Sequence, residues 1–322
     1  MGKEMKNKAF DPCPLCHGLE AKVLFSSKTA FSEFFLVQCQ ICGLTRTSPF
    51  PDDEILRMYD IYSYYGKDVN KFSPHVQRTR NFIMRVRAKR YLSLIPVSTQ
   101  TPKILDVGCA EGRLLQSFLE YGCQCWGIEH PFYPAQRFLD SDRIMYLQGD
   151  LNTMNLPEGV FDLIFIWHAL EHMDNPRTVM SRLYTLLASK GAIIVAVPNF
   201  SSLEARGFRR HWFHLDIPWH KYHFNEKSVK YLIAKTHLKI IKMSTFCFEQ
   251  GPFGLVQSIL NALGLPHNEF YEALKGNLNH RRSIYLFIQF FIVLFLMIPA
   301  FFVSLVTSSK ERGSVLKLIL KK

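Results

Sequence analysis

The chain has 322 residues, 48% of them hydrophobic, and carries a formal net charge of +12. That length suits one α/β domain of ordinary size with a small appendage, and the apolar share is enough for a large buried core. A low-complexity chain is excluded, as is a repeat array with a period of roughly 20 to 50 residues. The charge suits RNA, anionic lipid, phosphate-bearing substrates or plain solubility, and does not separate them.

The first residues, Met1 to Phe10, are polar and show no secretory signal. Two C-x-x-C knuckles follow: Cys13-Pro14-Leu15-Cys16 and Cys39-Gln40-Ile41-Cys42, the second followed by Gly43. A two-residue spacer lets both thiolates of a knuckle face one ion, and two knuckles make a closed tetrahedral site. The segment Lys22 to Val37 reads as two short strands around a turn, so the expectation is a zinc ribbon with a structural Zn2+ held by Cys13, Cys16, Cys39 and Cys42. The other four cysteines (Cys109, Cys123, Cys125, Cys247) are scattered among apolar residues, a reducing-compartment pattern and not a disulfide framework.

Ser48-Pro49-Phe50-Pro51 is stiff and non-helical, and Met58 to Gly66 carries Tyr59, Tyr62, Tyr64 and Tyr65. A basic helix is predicted from about Val76 to Ile95, with apolar residues at near-helical spacing. It reads as a docked helix with a solvated basic face, or as a lid over a cofactor.

Alternation of strands and helices then sets in. Lys103 to Val107 reads as a strand that opens into Gly108-Cys109-Ala110-Glu111-Gly112, with a helix from Arg113. Strand, glycine-rich turn and helix form a nucleotide-binding arrangement. The next strand, Gln124 to Glu129, ends in an acid placed to accept hydrogen bonds from ribose hydroxyls. Strands follow at Ile144 to Gln148, Phe161 to Trp167 and Ala192 to Val197, with a helix over about Pro176 to Ala188. The pattern predicts a parallel sheet covered by helices on both faces.

These motifs, in this order, resemble a class I S-adenosylmethionine-dependent methyltransferase over residues 103–199. In that family the first loop reads D-x-G-x-G-x-G; here it reads Asp106-Val107-Gly108-Cys109-Ala110-Glu111-Gly112, with Ala110 departing from the usual glycine. The resemblance implies that Asp106, Gly108, Ala110, Gly112, Glu129, Asp150, Leu151 and His168 bind S-adenosyl-L-methionine. Within that set Glu129 would hold the ribose, Asp150 and Leu151 would contact the adenine, and Trp167 and His168 would line the pocket near the sulfonium. A dinucleotide dehydrogenase is disfavoured, because its G-x-G-x-x-G spacing is absent.

His168-Ala169-Leu170-Glu171-His172 formally matches an inverted zinc-protease motif, but it stands where a strand ends and not inside a helix. The family often has H-x-L-E-H at this place. His172 or Glu171 is a candidate general base, and a structural role for the histidine stands beside that reading. The later cluster His211 to Phe224 resembles the W…D-x-P-x-H-x-x-H-F segment of zinc-ribbon methyltransferases from bacterial surface-saccharide and lipid pathways. It makes His220 and His223 substrate-side candidates, and a metal site from His214, Asp216 and His220 is the alternative. No N-P-P-Y follows the fourth strand, so an oxygen or carbon acceptor is favoured over a base nitrogen.

A further strand is expected at Lys239 to Phe246 and an amphipathic helix at Phe253 to Leu263. The uncharged run 283–307 is long enough to span a bilayer, since about 20 apolar residues suffice. Pro299 interrupts it, Arg281, Arg282, Lys310 and Arg312 flank it, and Gly313 to Lys322 reads as a last strand. A monotopic anchor, either a bent helix or a shallow hairpin, is therefore favoured over a single span, on the cytoplasmic side of the membrane. A buried helix pair is the alternative.

The expected fold is α/β: a Rossmann-like seven-stranded methyltransferase sheet, with a small ribbon in front and an apolar helical insertion before the last strand. The expected division is 1–50 zinc ribbon, 51–100 linker and helical lid, 101–250 cofactor-binding core, 251–312 membrane-associated insertion and 313–322 closing strand. The expected function is methyl transfer to an oxygen or carbon of a small-molecule or lipid-linked acceptor, saccharide or quinone-like, at a membrane surface. The alternatives are a ribosomal RNA base methyltransferase and a non-catalytic adaptor. The uncharged run speaks against nucleic acid.

Overall fold

A computed structural model describes residues 11–28, 32–50, 74–131, 133, 138–140, 142–274 and 283–322. The tyrosine-rich segment Met58 to Gly66, with Arg281 and Arg282, lies outside the described residues.

Strands β1 (Ala21–Lys28) and β2 (Glu33–Cys39) are the antiparallel pair expected between the knuckles. A third strand, β3 (Thr45–Ser48), pairs with β2. Helix α1 (Pro74–Leu92) is the basic helix. It buries Ala88 and Tyr91 against the main core and leaves Arg85 at the surface, 2.8 Å from Glu120.

The main sheet begins with β4 (Lys103–Val107), helix α2 (Arg113–Leu119), β5 (Gln124–Glu129), β6 (Ile144–Gln148) and β7 (Phe161–Trp167). Helix α3 (Pro176–Leu186) follows. It starts where the Asn175 side chain accepts from the Arg177 and Thr178 amides and Pro176 presets the first turn. Strand β8 (Leu187–Pro198) is longer than expected, because Leu187 already pairs with Phe161. After α4 (Leu203–Phe208) come the two-residue β9 (Tyr222–His223), α5 (Glu226–Ala234) and β10 (Lys239–Ser244). The chain ends with α6 (Gln250–Ala262), α7 (Glu269–Leu274), α8 (Ser283–Ser309) and β11 (Val315–Lys321).

Seven strands form one sheet in the order β10-β11-β8-β7-β4-β5-β6. The pairs among β4 to β8 are parallel, and β11 runs antiparallel between β8 and β10. The strand order reverses at β4, whose neighbours are β5 and β7. That reversal opens a crevice at the carboxyl ends of the strands, where such sheets take ligands.

Each central strand alternates between two cores. Leu163, Phe165, Ala192 and Ile194 pack with α1 and α2, while Ile164, Ile166, Ile193, Val195 and Val197 face α3 and α5. Burying each large side chain of this kind contributes about 1.5–3 kcal/mol relative to exposure. The second core also takes in Cys13, Leu15, Cys42 and Leu44 from the ribbon.

The ribbon is joined to the sheet domain by pairing as well as packing. Strand β9 continues the small sheet, with Thr45 opposite His223 and Arg46 opposite Tyr222. Asn225, which caps α5 through a reciprocal bond with Ser228, also donates from Nδ2 to the Gly43 carbonyl at 2.6 Å.

Helix α8 is continuous, with Pro299 inside it, so the hairpin form of the apolar insertion is corrected. A prolyl ring removes one backbone donor and strains the preceding turn, yet it does not turn the chain back here. One side of α8 packs on α6 and α7: Gln289 donates to Glu269 at 2.7 Å, and a Cβ at Gly251 would sit 3.3 Å from Ser304 Oγ.

Candidate functional site

The loop between β4 and α2 is built from left-handed residues. Gly108, Ala110 and Gly112 have φ of 77°, 47° and 84°. A Cβ on Gly112 would lie 1.8 Å from the Tyr146 hydroxyl, and one on Gly108 would lie 2.5 Å from Ala169 Cβ. Both positions therefore require glycine. Ala110 adopts the same region with a methyl group, at a cost of about 1–2 kcal/mol. Its amide donates to Glu129 Oε2 at 2.6 Å, and the His130 amide donates to Glu129 Oε1 at 2.8 Å. The acid at the end of β5 is thus oriented by two backbone donors beside the loop, and each of its oxygens keeps a further lone pair.

Asp106, on β4, is wholly buried, and its Oδ1 has no partner among the described residues. Burial, and then the charge of Glu129, push its carboxyl up to about 7. From the helix side, Arg80 of α1 stands 3.3 Å from Glu111, and Arg113 bonds both Glu111 and, at 2.9 Å, Asn81. Helix α1 is therefore pinned over the loop. Arg87 lies 3.8 Å over the Trp167 ring and pairs with Glu249.

At the end of β6, Asp150 Oδ1 caps a turn by accepting from the Asn152 amide at 2.9 Å. Leu151 is buried in the core.

The end of β7 carries the histidine group. His168 is left-handed, with φ 53°, and its amide donates to Ala196 at 2.8 Å. Its Nδ1 lies 3.2 Å from Glu171 Oε1, while its buried Nε2 has no partner among the described residues. Burial, followed by the charge of Arg87, lowers His168 to about 3. Glu171 is fully buried in a short 3-10 turn, and burial raises its carboxyl. Among the described residues no lysine or arginine pairs with it, but His220 Nε2 stands 4.0 Å away.

His172 donates from Nδ1 to the Trp219 carbonyl at 2.9 Å. His220 donates from Nδ1 to the His214 carbonyl at 3.0 Å and lies 3.8 Å from Asp216. Burial lowers both imidazoles to about 4; at His172 the neighbouring His220 adds to this, and at His220 the charge of Glu171 opposes it. His223 faces the ribbon: its Nε2 is 3.1 Å from Thr47 Oγ1, whose hydroxyl donates to the His220 carbonyl at 2.7 Å.

The structure thus brings together His168, Glu171, His172 and His220, and places His223 at the ribbon interface behind them. Sequence reasoning named His214 only within the alternative metal site, and it gave no site role to Arg87 or Thr47. His214 lies 6.5 Å from His168 with nearly parallel rings, and its buried Nε2 has no partner among the described residues. Arg87 and Thr47 also contribute. The i,i+3 spacing of His168 and Glu171 carried the dyad in plain view; Thr47 had no local signal.

The four knuckle thiols also converge. Cys13 and Cys42 Sγ are 3.5 Å apart, and Cys16 and Cys39 are 3.4 Å apart. Each knuckle closes with the same turn, His17 donating to Cys13 at 2.8 Å and Gly43 to Cys39 at 3.0 Å, with both residues left-handed. Thiolates bonded to one zinc at 2.3 Å stand about 3.8 Å apart, so this soft donor set fits Zn2+ with small adjustment.

A family profile described as a methyltransferase domain matches residues 72–242. A probable chloroplastic tocopherol O-methyltransferase from Oryza sativa subsp. japonica is 32% identical over 111 residues, covering 31% of this chain and 30% of that protein. A sterol 24-C-methyltransferase from Eremothecium gossypii is 24% identical over 144 residues, covering 42% and 39%. Among solved structures, a SAM-dependent methyltransferase from Archaeoglobus fulgidus aligns with a TM-score of 0.47 at 18% identity, covering 75% of this chain and 94% of that one. The chain spans between 30% and 53% of the length of the first curated relatives it matches. With the glycine-turn crevice, the acid at the end of β5 and a family match over more than half of its length, the chain belongs to the methyltransferase-domain family.

Proposed function

We propose that the protein transfers a methyl group from S-adenosylmethionine to an oxygen or carbon of a small or lipid-linked acceptor, at the cytoplasmic face of a membrane. One observation carries this reading. Buried polar atoms without a partner among the described residues lie at or just past the carboxyl ends of β4 and β7: Asp106 Oδ1, His168 Nε2 and Glu171 Oε2. Buried polar groups are nearly always paired, so a run of orphans at a crevice marks a place for a ligand.

Asp106 and Glu129 fit the cofactor. Glu129 accepts from ribose hydroxyls, and the orphaned Asp106 oxygen accepts from a cationic amino group. The left-handed loop brings backbone close to the ligand. When bound, S-adenosylmethionine supplies a methyl group already activated by its sulfonium charge. The protein's part is positioning, and removal of the proton that an oxygen acceptor sheds. His168 takes that proton on Nε2, while Glu171 holds Nδ1–H and steadies the imidazolium. With an oxygen acceptor, bound S-adenosylmethionine would supply the methyl group for the new O–CH3 bond, the S–CH3 electron pair remaining on sulfur, while His168 would take the acceptor's hydroxyl proton, so that the buried pocket would keep the same net charge.

The acceptor reading is supported by α8. Its polar residues Gln289, Ser304 and Thr307 are buried against the protein, while Phe295, Ile298 and Phe302 are 80%, 69% and 61% exposed. A helix with polar groups inward and phenylalanines outward is matched to an apolar surrounding. Packing on α6 and α7 from Gln289 to Ser304 holds its inner side along the domain, which suits an in-plane helix better than a span. The relatives named for tocopherol and sterol act on oxygen and carbon of lipid-like molecules by their names.

The test is transfer of labelled methyl from S-adenosylmethionine into a bacterial lipid extract by detergent-solubilised protein. Label in the organic phase that disappears with His168→Ala is the expected result. Label only in added ribosomal RNA would overturn the acceptor class.

A further inference from the structure

Glu171 has one oxygen that the proton-transfer role leaves unused. Its Oε1 faces both His168, at 3.2 Å, and His220 Nε2, at 4.0 Å, while Oε2 is buried without a partner among the described residues. Two imidazoles stand beside it in a defined tautomer. His172 gives its Nδ1 proton to the Trp219 carbonyl, and His220 gives its own to the His214 carbonyl. A carbonyl only accepts, so in each neutral ring the lone pair lies on Nε2. This is the arrangement that metal-ligating histidines adopt, one nitrogen fixed by a backbone carbonyl so that the other can bind. The two rings are 4.7 Å apart and inclined by 68°. One donor atom from each of Glu171, His172 and His220 lies within 4.8 Å of the others.

We propose that Glu171, His172 and His220 form a site for one divalent transition-metal cation, separate from the four-cysteine site. Two imidazole nitrogens and one carboxylate suit zinc, cobalt, nickel or ferrous iron, and three protein ligands leave coordination positions open. Donors around one such ion stand about 3.4 Å apart, so small inward side-chain movements close the site. The cation supplies the positive charge that a buried carboxylate flanked by neutral rings lacks. Asp216, 3.8 Å from His220 Nε2, adds negative charge at the rim. Resting on the methyl-transfer reading, the open position would take an oxygen of the acceptor beside His168.

The experiment is a Co2+ titration of the purified full chain with zinc already on its thiolates. Cobalt bound by nitrogen and oxygen shows visible d–d bands without the near-ultraviolet thiolate charge-transfer band, so the two sites are read separately. About one saturable equivalent of such cobalt is expected. Glu171→Gln keeps the side-chain shape, and it should weaken cobalt at least about tenfold while leaving S-adenosylhomocysteine affinity intact. His172→Ala should do the same, which guards against a single variant that misfolds. Absence of thiolate-free bands at millimolar cobalt, or bands unchanged in both folded variants, would overturn the site. If the wild type bound cobalt but not S-adenosylhomocysteine, the cofactor reading would fail and the metal site would stand.

Discussion

Ala110 holds a left-handed backbone where its family has glycine, and this position tests the cofactor loop. Ala110→Gly relieves about 1–2 kcal/mol of steric cost but adds about 0.5–1 kcal/mol of chain entropy, so stability should stay level or rise slightly. Gly112→Ala is the opposite case, because its Cβ would lie 1.8 Å from the Tyr146 hydroxyl. A drop of about 2 kcal/mol or more in urea unfolding is expected, in the range of overpacked cores. At His168, replacement by alanine should lower kcat by roughly 10²–10⁴ with S-adenosylhomocysteine affinity retained, the usual size of a general-base effect. Asp106 gives a pH prediction. Its folded-state pKa is raised to about 7, above the ordinary carboxylate value, so the ligand-free fold favours the protonated form. This contribution to stability is present at low pH and is lost as pH rises through 7. A cationic ligand favours the ionised form, so cofactor affinity should rise with pH up to about 7 and level off above it. Calorimetry in buffers of different ionisation enthalpy should show proton release at pH 6, and none in Asp106→Asn.

Among the elements, the five strands β4 to β8 were legible because each is a short apolar run closed by a turn. β10 and β11 were legible as the last two strands of a sheet whose topology the resemblance supplied. β3 and β9 were not. The TRTS run of β3 is polar, and β9 is two residues long with its pairing partner far away in the chain. Their pairing is a tertiary fact, and it explains why His223 looks like a site residue in sequence yet bonds Thr47 in the fold. Similarly, the inward face of α8 could not be read from a helix that is apolar nearly all round. The β3–β9 link also couples the ribbon to the site, since Thr47 accepts from and donates to the segment carrying His220. Stripping zinc with a chelator, or Cys13→Ser, should lower the melting temperature and also slow turnover. A chain that melts identically with and without metal would contradict a structural zinc.

For the whole molecule, two surfaces matter: the crevice at the carboxyl edge of the sheet, and the phenylalanine face of α8. On the membrane reading, the net charge of +12 favours anionic over neutral lipid, with each basic residue near the surface worth about 1 kcal/mol. Flotation with vesicles should therefore recover the protein more fully with anionic than with neutral lipid. Phe295→Glu with Phe302→Glu should release it while leaving the sheet folded. A soluble wild-type dimer that ignores vesicles would instead assign that face to a second copy. The central claim is cofactor binding in the crevice, and titration calorimetry with S-adenosylhomocysteine tests it most directly. Saturable binding is expected, weakened about tenfold or more by Glu129→Ala through the loss of hydrogen bonds to a charged group. No heat with S-adenosylhomocysteine, together with saturable binding of NADH, would contradict the account.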